Sequence, residues 1–268
     1  MDRPEPPANQ ADLGPAEGET LDRLVGDWRI LQLKRGHRFS TDDLVTAWRA
    51  HLAQPLAPSV LDLGSGIGAV GFSTLARLSP GSKLVGIEAQ QESVDLARRT
   101  AELNGLSERV DFHHGDLRAH AQLLPVDERF DLITGSPPYI PLDRGVSSPV
   151  PQRAACRMEL RGSVVDYCVA AAARLTPTGR FVFVMAANDV RTEAAPLQAG
   201  LVVLERTDVV FRAGRAPLIA VLVCGFPDQA IGPRVTSSLT VRDDCGEWTP
   251  EYLAFREGMR ARPSMWPR

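Results

Sequence analysis

Cysteine is scarce in this sequence and never paired: Cys156, Cys168, Cys224 and Cys245 lie far apart, with no Cys-x-x-Cys among them. Such spacing excludes a zinc ribbon or a disulfide framework and leaves ordinary reduced thiols. His113 and His114 have no partners at metal-ligand spacing, so no metal is expected. Long apolar runs are missing as well, which argues against a membrane-spanning helix. The opening residues, rich in Asp, Glu, Pro and Gly, lack the basic start and apolar stretch of a signal peptide, and a cytoplasmic location is expected. Nor is positive charge in excess: the formal net charge is -3 and the sequence pI about 6.0. A protein that held nucleic acid on a broad basic face would sit well above neutrality, so any such contact has to be local. No internal repeat is visible.

What is present is a chain of 268 residues with 44% hydrophobic side chains, enough for one large domain with short appendages. Residues 1–19 read as a disordered tail, because Pro, Glu, Gly and Ala recur without apolar periodicity. Residues 20–58 read as an N-terminal lid, with a short strand near Trp28, Ile30 and Leu31. A polar turn follows, and then a helix capped by Ser40 or Thr41 with Leu44, Ala47, Trp48 and Leu52 at helical spacing. From residue 59 to 226 strand and helix patterns alternate, which implies an α/β domain with a parallel sheet covered on both faces. Two apolar runs, 201–211 and 217–224, are separated only by Arg212-Ala213-Gly214-Arg215-Ala216, which suits an antiparallel hairpin. The expectation is a mostly parallel seven-stranded sheet ending in a C-terminal antiparallel hairpin, an arrangement that resembles the Rossmann-like class I methyltransferase fold. Residues 227–268 read as an appended strand and short helix.

Val60-Leu61-Asp62-Leu63-Gly64-Ser65-Gly66-Ile67-Gly68 is a strand leading through glycines into a helix, which lets backbone approach a ligand at the carboxyl edge of the sheet. Gly66, Gly68 and Gly71 also spell a dinucleotide fingerprint, and Glu88 stands where such a fold places its ribose-binding acid. Two features favour adenosylmethionine over a dinucleotide. Asp62 would repel a pyrophosphate yet can organise a cationic methionine end. Asp116, in Gly115-Asp116-Leu117, can accept from an adenine amino group while its neighbours contact the ring; as a lone residue it reads equally well as a helix cap.

After the fourth strand of this domain comes Ser136-Pro137-Pro138-Tyr139. The prolines withhold their N–H groups and fix the backbone, so nearby carbonyls can face a cleft. An amine conjugated to a purine, or a carboxamide nitrogen, is a poor nucleophile. Acceptors aimed at its N–H bonds favour the pyramidal geometry needed for attack on a sulfonium methyl. The Ser136 hydroxyl and Pro137 carbonyl are the candidate acceptors, and Tyr139 can stack on a flat acceptor group.

These residues resemble the amino-methyltransferases with an Asn/Asp/Ser-Pro-Pro-aromatic motif, and within them the bacterial tRNA(Val) adenine-N6-methyltransferases. The likeness spans about residues 28–255. It includes Leu33-Lys34-Arg35-Gly36-His37-Arg38-Phe39-Ser40-Thr41-Asp42, similar to the segment those enzymes fold over the cofactor. The resemblance implies S-adenosyl-L-methionine as cofactor, held by Phe39, Thr41, Asp62, Gly64, Ser65, Gly66, Gly68, Glu88, Ala89, Asp116, Leu117 and Ser136. It implies a catalytic group of Ser136, Pro137, Pro138 and Tyr139, and methylation of an adenine amino group in tRNA. Asn is the commonest first residue of that tetrapeptide; Ser136 is shorter but still accepts a hydrogen bond. Arg38, Tyr139, Arg144, Arg153 and Arg157 are the candidate substrate contacts, holding phosphates while a base is turned into the pocket. Three alternatives stay open at this point: a protein glutamine N5-methyltransferase, an NAD-dependent oxidoreductase, and a non-catalytic module that binds adenosylmethionine.

Overall fold

The computed structural model of the protein describes residues 14–138 and 162–260. Its main sheet is built from β3 (Ser59–Leu63), β4 (Lys83–Glu88), β5 (Val110–His114), β6 (Phe130–Gly135), β7 (Leu175–Ala186), β8 (Val202–Val210), β9 (Ile219–Gly225) and β10 (Val235–Thr240). The spatial order is β10-β8-β9-β7-β6-β3-β4-β5. Neighbours run parallel from β7 through β5, whereas β9 is antiparallel to both β7 and β8. The expected hairpin is therefore present, with β9 inserted between its own partner and the parallel strands. The sheet has eight strands where seven were expected, because β10 pairs in parallel with β8. The segment read as an appendage thus extends the sheet itself.

Helices cover both faces, as a continuous parallel sheet requires. The strand sequences show why: along β7, Phe181, Phe183 and Met185 enter one core cluster while Val182 and Val184 enter the other, the period of two that sends alternate side chains to opposite faces. On the valine face lie α1 (Thr41–Ala53), α2 (Ala69–Leu75) and α3 (Gln91–Leu103), which contribute Val45, Phe72, Val94 and their neighbours. The phenylalanine face is covered by α5 (Val164–Arg174) and α6 (Arg191–Gln198). A short α4 (His120–Leu123) precedes β6, and α7 (Pro250–Arg260) closes the described chain.

The segment expected to form an N-terminal lid begins with a hairpin rather than a single strand. β1 (Glu19–Val25) pairs antiparallel with β2 (Trp28–Leu33), so ordered structure begins inside the stretch read as tail. It docks on α3 through polar contacts: Leu31 N donates to Thr100 Oγ1 at 3.1 Å and Arg29 N to Asn104 Oδ1 at 2.9 Å. α7 packs beside α1, with the Trp48 and Phe255 rings 5.1 Å apart and the Thr41 and Tyr252 hydroxyls in hydrogen bond at 3.0 Å. No helix among the described residues is long and apolar enough to cross a membrane.

Candidate active site

A cleft of about 840 Å³, open to solvent, lies at the carboxyl ends of β3, β4, β5 and β6. Ligands of open α/β sheets bind at this edge, where strand ends release backbone groups from the ladder. The loop from Gly64 to Gly68 forms its floor. Gly64 has φ +59, and a Cβ there would fall 1.9 Å from Tyr167 Oη. Gly68 has φ +85, and a Cβ would strike the Phe72 and Phe112 rings. Both positions demand glycine on conformation and on space. The loop is anchored from two sides. Gly66 N donates to Glu88 Oε2 at 2.9 Å, and Gly71 N, in α2, donates to Asp62 Oδ2 at 3.0 Å.

Asp62 is buried and also accepts from Thr134 Oγ1 at 2.8 Å, which links the ends of β3 and β6. Burial pushes its carboxyl up to about 6 despite the hydrogen bonds from Thr134 and Gly71, and the charge of Glu88 adds to the rise. Asp43, on the first turn of α1, accepts from Ser40 N at 2.8 Å and is held well above the usual carboxylate range, first by burial and then by Asp42 and Asp62. Glu88 Oε1 accepts from Gln90 N at 2.7 Å. Asp43, Asp62 and Glu88 all line the cleft, and no Lys or Arg does so among the described residues.

At the end of β6 the chain passes into Ser136-Pro137-Pro138, with Ser136 and Pro138 in the cleft wall. Ser136 Oγ is shielded from solvent and has no hydrogen-bond partner among the described residues, and the same holds for Ser65 Oγ. Buried hydroxyls are ordinarily paired, so Ser65 and Ser136, both in the cleft lining, bring unused hydrogen-bonding capacity to this wall. Tyr167 stands behind this wall. Its ring lies where a Cβ on Gly135 or Gly64 would fall, so α5 supports the glycine loop and the proline segment together.

Of the cofactor residues expected from sequence, Phe39, Asp62, Gly64, Ser65, Gly66, Glu88, Ala89, Leu117 and Ser136 line the cleft. Thr41, Gly68 and Asp116 do not. Thr41 faces Tyr252, Gly68 shapes the start of α2, and Asp116 caps the 3-10 turn at Leu117–Ala119 by accepting from Arg118 N at 2.9 Å. The Asp116 carboxylate is further held by Arg118 Nε at 2.9 Å. Arg38, expected to meet substrate, instead clamps the lid, donating to Asp22 Oδ2 at 2.8 Å and Thr20 Oγ1 at 2.9 Å. Together with the bond from Phe39 N to Gln32 Oε1 at 2.9 Å, it fixes the His37–Phe39 stretch along the cleft rim. Pro137 is buried beside the cleft without lining it. Tyr139, Arg144, Arg153 and Arg157 lie outside the described residues.

Sequence reasoning missed His37, Asp43 and Tyr167 as cleft residues. Asp43 carried a readable signal, Ser40-x-x-Asp43 at a helix start, but that pattern announces a cap and not a cleft. Tyr167 falls at the core spacing of α5 with Val164, Cys168 and Ala171, where a tyrosine hydroxyl is out of place unless a polar space lies above it.

Comparison with known proteins agrees with this geometry. Residues 57–193 match the family described as Methyltransferase domain. The chain is 24% identical over 218 residues to the tRNA1(Val) (adenine(37)-N6)-methyltransferase of Pasteurella multocida, a match covering 81% of this chain and 87% of that protein. It is 36% identical over 85 residues to the release factor glutamine methyltransferase of Chlorobaculum tepidum, covering 32% of this chain and 29% of that relative. The crystal structure of a predicted O-methyltransferase from Agrobacterium tumefaciens superposes with a TM-score of 0.59 at 21% identity, over 82% of this chain and 98% of that one, a likeness of fold. With the glycine loop, the acid at the end of β4 and the order of the sheet in place, the chain belongs to the methyltransferase domain family and is a class I, S-adenosylmethionine-dependent methyltransferase.

Proposed function

We propose that the protein methylates the exocyclic N6 of an adenine in tRNA. The observation that carries this reading is the shielded Ser136 Oγ, without a hydrogen-bond partner among the described residues, set at the end of β6 in the wall of the cleft that contains the glycine loop and Glu88. The acidic lining suits a cationic cofactor: a dinucleotide would bring a pyrophosphate against Asp43, Asp62 and Glu88, with no Lys or Arg in the lining among the described residues to meet it. The match to an adenine-N6 enzyme along most of both chains favours this substrate over a protein glutamine, whose enzyme matches over a third of this chain.

Bound adenosylmethionine supplies an electrophilic methyl group. In the cleft lining, Glu88 would accept from the ribose hydroxyls, Gly115 and Leu117 would flank the adenine of the cofactor, and Asp62 would face its positive end. On the substrate side, Ser136 Oγ and the Pro137 carbonyl accept the two N–H bonds of the target amine. That pairing turns the nitrogen lone pair towards the methyl and holds it there. The bound cofactor would supply its methyl to that nitrogen and keep the sulfur electron pair, and the same acceptors would pass the proton made acidic on nitrogen to water, so no strong base is required. Tyr139, next in the chain, is assigned the stacking surface for the target base.

The test is incubation with methyl-labelled cofactor and, separately, total tRNA and total cell protein, followed by digestion. Label in N6-methyladenosine is the expected product. Label in N5-methylglutamine, with none in tRNA, would replace the substrate while leaving the enzyme class intact.

A further inference from the structure

Asp43 does more than a capping residue needs to do. An N3 acid ordinarily sits at the solvent-exposed start of its helix, and its exchange of hydrogen bonds with the cap residue asks only for an acceptor. Here the Asp43 Oδ2 accepts from Ser40 N at 2.8 Å, the side chain lines the cleft, and the residue is only 7% exposed. No described residue donates to its Oδ1. A carboxyl withdrawn from water this far either keeps its proton, as burial favours in the empty cleft, or ionises against a hydrogen-bonded cation, and no Lys or Arg lies in the cleft wall among the described residues. A second unmet group shares that wall: Ser65, 8% exposed, whose Oγ has no partner among the described residues.

Position narrows the ligand group. α1 packs against α2 and against β6 and β7, which places Asp43 over the β3–β6 side with Asp62 as its electrostatic neighbour. Glu88, Gly115 and Leu117 occupy the β4–β5 side, where ribose and adenine belong in the reading above. The amino-acid end of the cofactor therefore reaches the Asp43 side. Two positive charges are carried there, a sulfonium and an α-ammonium, and only the ammonium has N–H bonds to give to an acceptor oxygen. We propose that Asp43 is a specificity-determining cofactor residue, its Oδ1 receiving the α-ammonium of the methionine moiety while its Oδ2 caps α1. The proposal rests on the cleft holding adenosylmethionine.

Asp43→Asn separates the two roles, since the amide oxygen can still cap Ser40 N but the charge is gone. Calorimetric affinities of wild type and variant are compared for adenosylmethionine, adenosylhomocysteine, which keeps the ammonium without the sulfonium, and methylthioadenosine, which lacks both. The expected result is a loss of about 10- to 100-fold for the first two ligands, the scale of one charge-assisted hydrogen bond, with methylthioadenosine changed by less than about 3-fold. Unchanged affinities, an equal loss for all three ligands, or a loss confined to adenosylmethionine would each overturn the assignment. Wild-type protein that binds none of the three would overturn the cofactor reading itself, an outcome distinct from binding that ignores the variant. If the variant does not fold, the deaminated analogue of adenosylhomocysteine is measured on wild type. It should bind about 10- to 100-fold more weakly than the parent, and equal affinity defeats the proposal.

Discussion

Gly66 donates its backbone N–H to Glu88 Oε2 at 2.9 Å, so the loop after β3 and the acid ending β4 form one continuous edge of the cleft. With Gln90 N on the other oxygen at 2.7 Å, Glu88 holds its own strand end and the neighbouring loop while facing the ligand space. Glu88→Ala should lower stability by about 1–3 kcal/mol, because two backbone donors lose a charged acceptor. It should also weaken adenosylmethionine binding by more than about 10-fold. Urea unfolding and calorimetry read the two effects separately, and Glu88→Gln should restore part of the first.

Ser136→Ala is expected to separate activity from stability. Its Oγ has no partner among the described residues, so removal should change the unfolding free energy by no more than about 0.5 kcal/mol. Single-turnover methylation should fall by about 10- to 100-fold, with cofactor affinity nearly constant. A variant that lost stability in proportion to activity would give Ser136 a purely structural part.

Asp62 links pH to stability and to binding. Its carboxyl is raised from 3.8 to about 6, so between those values the folded protein keeps a proton that the unfolded chain has released. The stabilising contribution is full below the lower value and is lost as pH rises through the upper one, about 3 kcal/mol across the window. The stability of wild type relative to Asp62→Asn should therefore decline from about pH 4 to about pH 6 and level off above. A cationic ligand opposes this rise, so adenosylmethionine should bind more weakly below about pH 6.

Phe255→Ala should cost about 3–5 kcal/mol, since the ring is fully packed between Trp48 and Tyr252. Tyr252 in turn bonds Thr41 on the helix that carries Asp43. Cofactor affinity should fall along with the melting temperature, although Phe255 lies outside the cleft lining.

Arg174 is a buried clamp on the segment before β6. It donates to Pro125 O at 2.5 Å, His120 O at 3.0 Å, Glu128 O at 3.2 Å and His120 Nδ1 at 2.9 Å. Arg174→Met leaves those carbonyls orphaned and should destabilise by about 3 kcal/mol, with faster amide exchange over residues 116–128. Unaltered exchange there would show that the segment is held by apolar packing instead.

The glycine loop, Glu88 and the Ser-Pro-Pro segment were legible in the sequence because each is a local signal. Glycines, prolines and acids at strand ends announce themselves within a few residues. Arg38 and Asp116 were legible only as charges near the right place. Their ion pairs with Asp22 and Arg118 could not be read from the sequence. β1 was hidden because its residues carry Glu, Thr, Asp and Arg, paired with β2 across a tight turn and stabilised by α3. β10 read as an appendage because its alternation is weak and its neighbour, β8, comes from a run some thirty residues earlier, which no local pattern can reveal.

Sequence by itself determined the alternating strands and helices, the carboxyl edge of the sheet with its glycine loop and the place of the Ser-Pro-Pro segment after a strand, since periodicity and backbone stereochemistry act over short stretches of chain. Tertiary structure alone decided which acids face the ligand. Asp43, Asp62 and Glu88 come from α1, β3 and β4, and only the packing of those elements brings three carboxylates into one cleft, while Asp116 pairs with Arg118. Burial, which sets the charge of Asp43 and Asp62, is likewise a property of the assembled fold and of no single residue.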